Sequence, residues 1–590
     1  MYVVSEEYRE QMNRPVRNPS YVRLTFGITN PNAPGLSTIT SNGAESFSNL
    51  ASLDRGLNVY RPVATLEPHR WLLNGQQSIY DPDNPTYQGF VGNRFSTASG
   101  TYSPIPALTI TFSDYVAFAG LSFRFDSGGN DWHPTRFQIR AYHGSTSVYN
   151  KVKYPTNEYF VVDDKIPACN KLVLYWRYSN KPYARPRLMS LIYGIMQELT
   201  SDDLVSVSCA REVDPISTSF PKADLKFSIF DVNGKYDPDN PNGVWEYLET
   251  RQPVTAEIGY ELDGGGVEWM PWANCYTTGD VNVSGQGASL QVEISAASLV
   301  NHLTMQYDEG KYYPSGRSLF DLANDVMTFA GFSGGIRLDE SLKNIITYQP
   351  LPIDSVNNLL QLIANAGRCI LDVDRGGEVS IRPQNNTLED FQYNFSNLIT
   401  EPSTTKIPPL KRLGITYYSV VLDTTTSVVV DKAAVNNATR NTITLNHDAI
   451  SGGTVTVSGL TLHSYTSYAY KTVVNVSGTG TVTVKGYRIN SNELLLVKRY
   501  GDVGEDLDSL GNRLLTSFEM ANAYADWIAA YEKRRNTYSA SDRGYPEVDV
   551  GDNVGFVTGY ENNINVTQVA QTITYNGTIT GEGKYLICSQ

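Results

Sequence analysis

The chain has 590 residues, 41% hydrophobic and 18% charged, with 47 basic against 61 acidic side chains and a formal net charge of −14. That length exceeds what one hydrophobic core supports, so roughly four domains are expected, and the composition is that of an ordered protein rather than a disordered one. The acidic balance opposes broad contact with phosphate backbones or anionic lipid, and no apolar run reaches the roughly 18 residues of a membrane span, so neither a nucleic-acid partner nor a membrane span is expected.

Residues 1–60 open with Glu6, Glu7, Arg9, Glu10, Arg14 and Arg17 instead of an apolar signal core, which predicts a chain made and kept in a cytoplasm. One strand is predicted there, over 21–28, before a Ser/Asn/Gly-rich connection. Between 61 and 194, period-two alternation predicts strands at 108–112, 120–125, 136–142 and 171–177, with Phe123 and Phe125 on one face and Ser122 and Arg124 on the other. This spacing suggests an antiparallel sandwich. A run at 188–194 leads into 195–312, where strands flank an Asp/Asn/Pro/Gly loop at 231–241 and end at 289–295; these suit a small closed barrel.

A helical period then takes over, in 313–400. Ser318 is placed to cap a helix over 319–330, and a second helix from about Ser355 buries Val356, Leu359, Leu360 and Ile363 before a hairpin at 369–382 turned by Arg375-Gly376-Gly377. Together they form a compact α+β unit. The strand at 412–417 is read as the start of a second barrel, formed by 401–419 and 501–590 around a Thr/Val-rich inserted β-domain at 420–500. Thr516 is the expected cap of a last helix, with Met520, Ala523, Tyr524, Trp527, Ile528 and Tyr531 as its buried face. Strands near 546–556 and 566–573 follow.

The sequence carries no HExxH, GxSxG, GxxxxGK or Cys/His zinc array, and its six histidines are dispersed, so no catalytic, cofactor-binding or metal-binding residue is predicted and the chain is not expected to be an enzyme. The five cysteines are odd in number and without a CxxC pair, which predicts buried free thiols. Two loops, 81–84 and 231–237, place oxygen atoms at alternate positions, but neither has EF-hand spacing and Asx turns are the favoured reading. In the sandwich, Asp131, Trp132, His133, Arg136 and Tyr142 combine aromatic surface with donors and acceptors, the chemistry a sugar ring needs; packing of Trp132 under a loop is the competing reading.

The order of the strand at 188–194, the loop at 227–241 and the strand at 250–260, followed by the helix and hairpin at 354–383, the helix from Thr516 and Pro546-Glu-Val-Asp-Val-Gly-Asp-Asn-Val554, resembles bacteriophage tail-tip or baseplate hub proteins. The strand order at 109–142 resembles the galactose-binding-like jelly roll of carbohydrate-binding modules. The hub resemblance implies a mainly β, multidomain fold with two related barrels, and a homotrimer whose six barrels meet the sixfold end of a tail tube. Its partners would be tail tube and distal tail proteins, tail fibre or receptor-binding proteins and, through the sandwich, a host-surface glycan. It implies residence in the virion tail tip and no cofactor. The sandwich and the insertion are additions to a minimal hub. The alternatives are a carbohydrate-binding surface adhesin and, less favoured, a cell-wall-degrading tail enzyme.

Overall fold

The computed structural model describes residues 1–46, 48–53, 67, 89–126, 131–285, 290–331, 336–558 and 562–588. The loop at 81–84 lies outside the described residues. The protein is mainly β and multidomain, and its centre is one thirteen-stranded sheet that curls twice.

The first curl uses β1 (Ser20–Thr29), β2 (Gly194–Thr200), β3 (Leu204–Glu212), β4 (Lys222–Phe230), β5 (Pro253–Glu261), β6 (Val267–Ser284) and β7 (Gln291–Ala297) in the order β2-β1-β5-β6-β7-β4-β3. The two ends of that order, β2 and β3, are consecutive in the chain and joined by a tight turn in which Asp203 Oδ2 accepts from the Thr200 amide at 2.9 Å. Joining the edges by so short a connection curls the sheet round towards a barrel, without a ladder between β2 and β3 themselves. Alternate residues point inward, among them Val22, Leu24, Phe26 and Ile28 on β1, and Phe26 meets Phe227 of β4 edge-on at 5.7 Å across the interior.

The second curl uses β8 (Leu388–Tyr393), β9 (Ser403–Lys406), β10 (Asn536–Asp542), β11 (Asn553–Val557), β12 (Asn563–Tyr575) and β13 (Ile579–Ile587) in the order β8-β11-β12-β13-β10-β9. Again the end strands are chain neighbours, and the Ile399 amide donates to Ser541 O at 2.7 Å to seat their connection. The interior here is aromatic: Tyr393 and Phe556 both pack on Tyr585, at 4.9 and 5.0 Å, and Tyr538 packs on Phe556 at 5.5 Å.

The sequence reading differs here: of 501–590, read with its helix as part of the second barrel, Glu505–Gly511 joins the insertion's sheet and Phe518–Glu532 the α+β core. The strand beginning near Arg412 does not open the second barrel; Leu413 and Ile415 are buried in the α+β core, and β8 and β9 from 388–406 take that place. All four residues of β9 are exposed, so it has no alternating pattern to announce it.

The sandwich pairs a five-stranded sheet, with Ala107–Phe118 and Ile166–Ser179 at its middle, against a three-stranded sheet containing Leu121–Arg124. Phe123 of the smaller sheet meets Phe137 of the larger at 5.1 Å. Ser37–Ser41, from the Ser/Asn/Gly-rich connection, adds an edge strand. The run at 188–194 is divided between domains: Ser190–Ile192 pairs with the sandwich, while β2 starts at Gly194 in the barrel. Ser122 ties the two by donating to Gly194 O at 2.9 Å and accepting from the Met196 amide at 3.1 Å.

In the α+β unit, α2 (Leu319–Phe329) is capped by Ser318 Oγ, and α3 (Val356–Ala366) follows Ser355. The helix α4 (Phe518–Glu532) closes the same core but is capped by Ser517, not Thr516; Ala521, Tyr524, Ala525, Ile528 and Ala529 are buried, and Met520 and Trp527 pack partly buried against the same core. Cys169, Cys209, Cys275 and Cys369 are buried free thiols, and Cys588 is half-buried.

The insertion belongs to a four-stranded sheet folded over on itself, in which Glu505–Gly511 pairs parallel with the start of Leu410–Asn446. Leu410–Asn446 and Ile450–Ser467 both pair with Lys471–Arg499, yet Ile450 donates to Ala469 O and Ile489 to Ala449 O, both at 2.9 Å, so the intervening chain must turn back. The fold line passes through Gly459, whose φ of +77° is left-handed and where an added Cβ would lie 2.7 Å from Thr479 O. Folding brings Val474 and Val476 into one small core with Val482 and Val484. The turned-back end docks on the α+β unit through Ala469 N to Gly310 O at 2.7 Å and Lys471 to Asp308 at 2.5 Å. Replacing Gly459 with Ala is expected to cost about 1–3 kcal/mol through backbone strain and the close carbonyl. Hydrogen exchange should rise across 427–487 and stay unchanged in the barrels.

Candidate functional site: the seam between the barrels

The two barrels are joined by backbone. β3 pairs antiparallel with the second half of β12, from Val207 opposite Tyr575 to Glu212 opposite Ala570, while the first half of β12 pairs with β11. A bulge between Gln568 and Ala570 marks the change, and Val213 donates to Val569 O at 2.9 Å. One buried core therefore runs through both barrels.

Beside this junction three parts of the chain share one carboxylate. Arg211 comes from β3, Arg375 from the hairpin turn of the α+β unit, and Asp549 from the loop before β11; the guanidinium Nε atoms lie 3.2 and 3.4 Å from the Asp549 oxygens. Burial raises the Asp549 carboxyl, but the two guanidiniums outweigh it and hold the group below its ordinary range. Arg375 is fully enclosed and also donates to Pro546 O, to Val548 O at 2.8 Å and to Gln571 Oε1 at 3.0 Å. Arg211 donates to Val373 O at 2.7 Å. Such a centre holds orientation better than apolar packing would, because each partner has a fixed geometry.

The N-terminal segment straps across the same seam. Its helix α1 (Glu6–Met12) is capped by Ser5, and Tyr8 packs edge-on against Tyr260 of the first barrel at 5.7 Å while donating to Glu547 Oε2 beside the second at 3.0 Å. Arg14 pairs with Asp263 at 2.6 Å, and Arg17 donates to Arg543 O and Gly544 O at 2.6 and 3.0 Å with its guanidinium over the Tyr545 ring. A cavity of about 520 Å³ lies under the strap, lined by Met12, Asn13, Phe391, Gln392, Tyr545 and Glu547 among others. Burial lifts the Glu547 carboxyl to about 7, against smaller opposing contributions from the Tyr8 hydroxyl and the Arg17 guanidinium, and lifts Asp542 to about 6.

Sequence reasoning named Arg14, Arg17, Arg375 and the Pro546–Val554 segment but assigned none of them to a shared site. Pro546-Glu-Val-Asp-Val550 reads as a strand, whereas the structure has turns there and the next strand starts only at Asn553; Glu547 is 5% exposed, and Val548 and Val550 are buried as well, so the segment packs inward as a coiled stretch and not as one face of a sheet.

The five sandwich residues singled out in the sequence do not form one platform. Trp132 is 5% exposed and packs beneath the loop at 179–187, with His133 buried beside it and held to Asp131 O and Asn180. Arg136 is exposed and lies over the Tyr178 ring at 5.6 Å. Tyr142 sits six residues further along the same strand, about 20 Å away, with the Lys171 amine over its ring. The loop at 231–237 uses its oxygens on its own backbone: Asp231 accepts from Lys235 N and Tyr236 N, both at 2.7 Å, and Asp237 from Asp239 N at 2.9 Å.

No family model matches the sequence, and no curated protein does. Among solved structures the chain is similar to the 43 kDa tail protein of prophage MuSo2 from Shewanella oneidensis, at 12% identity over 65% of this chain and 94% of that one, with a TM-score of 0.38. It is similar to a tail protein from Neisseria meningitidis at 9% identity over 66% and 93%, with a TM-score of 0.40. A family 32 carbohydrate-binding module of NanJ from C. perfringens, solved with galactose, matches at 12% identity over 28% of this chain and 97% of the module, with a TM-score of 0.18.

Asp549→Asn is expected to cost about 3–5 kcal/mol in urea denaturation, since it leaves two buried guanidiniums without their counter-charge. Glu547 acts in the opposite sense. Its folded value, raised from 4.5 to about 7, means the neutral form suits the fold; the stability it contributes is complete below pH 4.5 and is lost as pH rises through 7. Glu547→Gln should therefore gain on the parent protein across that window, by about 3 kcal/mol above pH 7, and stability measured against pH should be flatter in the variant.

Proposed function

We propose that this chain is a structural hub of a phage tail tip or baseplate, or of a related tail-like particle, that assembles as a homotrimer to cap the tail tube and anchor neighbouring tail proteins. The observation that carries this reading is the joining of two curled, barrel-like halves, edge to edge, in one sheet. A tube of sixfold symmetry and a threefold cap match only if each subunit of the cap presents two similar units at a fixed angle. Here the angle is set by the β3–β12 ladder and by Asp549 between Arg211 and Arg375, not by a flexible linker. Closed symmetric assembly is the common outcome for such subunits.

The role needs no chemistry, only rigidity and surface. The insertion and the sandwich, each with a core of its own, would stand outside the ring as attachment points for other tail components.

Light scattering of the purified chain together with negative-stain imaging tests the reading. The expected species has three times the 65.4 kDa chain mass and shows six density lobes around its axis. A monomer or dimer at all concentrations that also fails to associate with tail tube protein would overturn it.

A further inference from the structure

The larger sheet of the sandwich has a charge opposite to that of the chain as a whole. Its five strands, Ser37–Ser41, Ala107–Phe118, Pro134–His143, Thr146–Lys153 and Ile166–Ser179, hold six lysines and arginines against one acid, Asp114, in a chain whose formal net charge is −14. Strand register puts four of those six on one face. Leu172, Leu174 and Trp176 are buried in the sandwich core, so Lys171, Val173, Tyr175 and Arg177 point the other way. Tyr142 lies opposite Lys171, Arg140 opposite Val173, Gln138 opposite Tyr175 and Arg136 opposite Tyr178, while Thr111 and Thr109 flank Lys171 and Val173 on the other side. Asp114 lies beyond Thr111 at a register shift, with its Oδ1 taken by the Tyr115 amide at 2.7 Å, and Asp131, just before the sheet, faces His133 at 3.2 Å.

The cations on this face are held in place by their neighbours. Arg140 lies over the Tyr175 ring at 5.3 Å and Lys171 over the Tyr142 ring at 5.6 Å. Arg177 donates through two nitrogens to Gln138 Oε1, at 3.0 Å from Nε, and Gln138 Nε2 donates to Asn150 Oδ1 at 2.7 Å. Among the described residues none of Arg136, Arg140, Lys171 and Arg177 forms an ion pair, whereas Lys151 and Lys153 share Asp164. Three features select the partner. The Tyr142 and Tyr175 rings are already covered by cations and are not free to stack on nucleic-acid bases. Between the cations stand threonine, glutamine and asparagine, with no exposed Leu, Ile, Val or Phe to enter a membrane. A polyanionic rod or an anionic bilayer would also reach more than about 10 Å past these four residues, where it meets the acidic remainder of the chain. We propose that this face docks a short acidic segment of a partner protein, its carboxylates received by Arg136, Arg140, Lys171 and Arg177. This rests on the reading of the sandwich as an attachment point, not on the threefold ring, because the sandwich has its own core.

Biolayer interferometry of the full chain on immobilised hexaglutamate, hexaserine, duplex DNA and phosphatidylglycerol vesicles tests the assignment. Hexaglutamate is expected to bind, more weakly as salt is raised, and hexaserine is not. Arg136→Glu combined with Lys171→Glu, both exposed, should weaken hexaglutamate binding about tenfold at an unchanged melting temperature. Lys406→Glu combined with Lys432→Glu, exposed elsewhere and equal in charge change, should leave it as in the parent protein. No hexaglutamate binding, tighter binding to DNA or vesicles, or the same loss in both double variants would overturn the assignment. So would an oligomer mass that falls only in the first double variant, since the acidic surface would then belong to a second copy. Hexaglutamate binding by a chain that stays monomeric would uphold this face and sink the ring, so the two readings fail separately.

Discussion

The structure depends on a backbone ladder between two barrels. Strand pairing is directional and registered, so β3 on β12 fixes both the distance and the rotation of one barrel against the other, which side-chain packing alone leaves adjustable. Asp549, held between Arg211 and Arg375, adds a second constraint from a different direction and brings the α+β unit into the same frame. Breaking either would leave a charge or a row of amides buried without partners, the costly outcome that keeps such junctions rigid.

Around that frame the insertion is held at several places, with Tyr470 on Gln349, Tyr468 on Glu309, Lys498 on Asp526, and Leu413 and Ile415 within the α+β core. The sandwich meets the barrel through Ser122 and the chain at Gly194, and the insertion returns to the α+β unit at Gly310 and Asp308. Each has its own apolar core, which explains how they can differ in surface without disturbing the barrels. The sandwich sets its cations on the outer face of its larger sheet, whereas the seam hides its charges.

Much of the architecture was legible because periodicity reports burial. The stripes Leu319, Leu322, Ala323, Val326 and Val356, Leu359, Leu360, Ile363 are buried as read, and the sandwich strands alternate as their sequence does. The failures share one cause. β9 is exposed on both faces and leaves no pattern, and Leu413 and Ile415 show an apolar face without saying which core receives it. Trp132 takes the packed position under a loop that was weighed against a sugar platform; its neighbours in sequence suit either and do not choose between them.

By itself the sequence determined the class of the strongly periodic segments, since the alternation of apolar residues and the positions of glycine and proline are local properties set by backbone geometry. It also determined that no familiar catalytic motif is present. Only the tertiary structure decided which strand closes which barrel, that β3 and β12 join them, and that Glu547, Asp549, Arg211 and Arg375 meet in one place. Those are long-range pairings between residues far apart in the chain, and local pattern does not specify a partner.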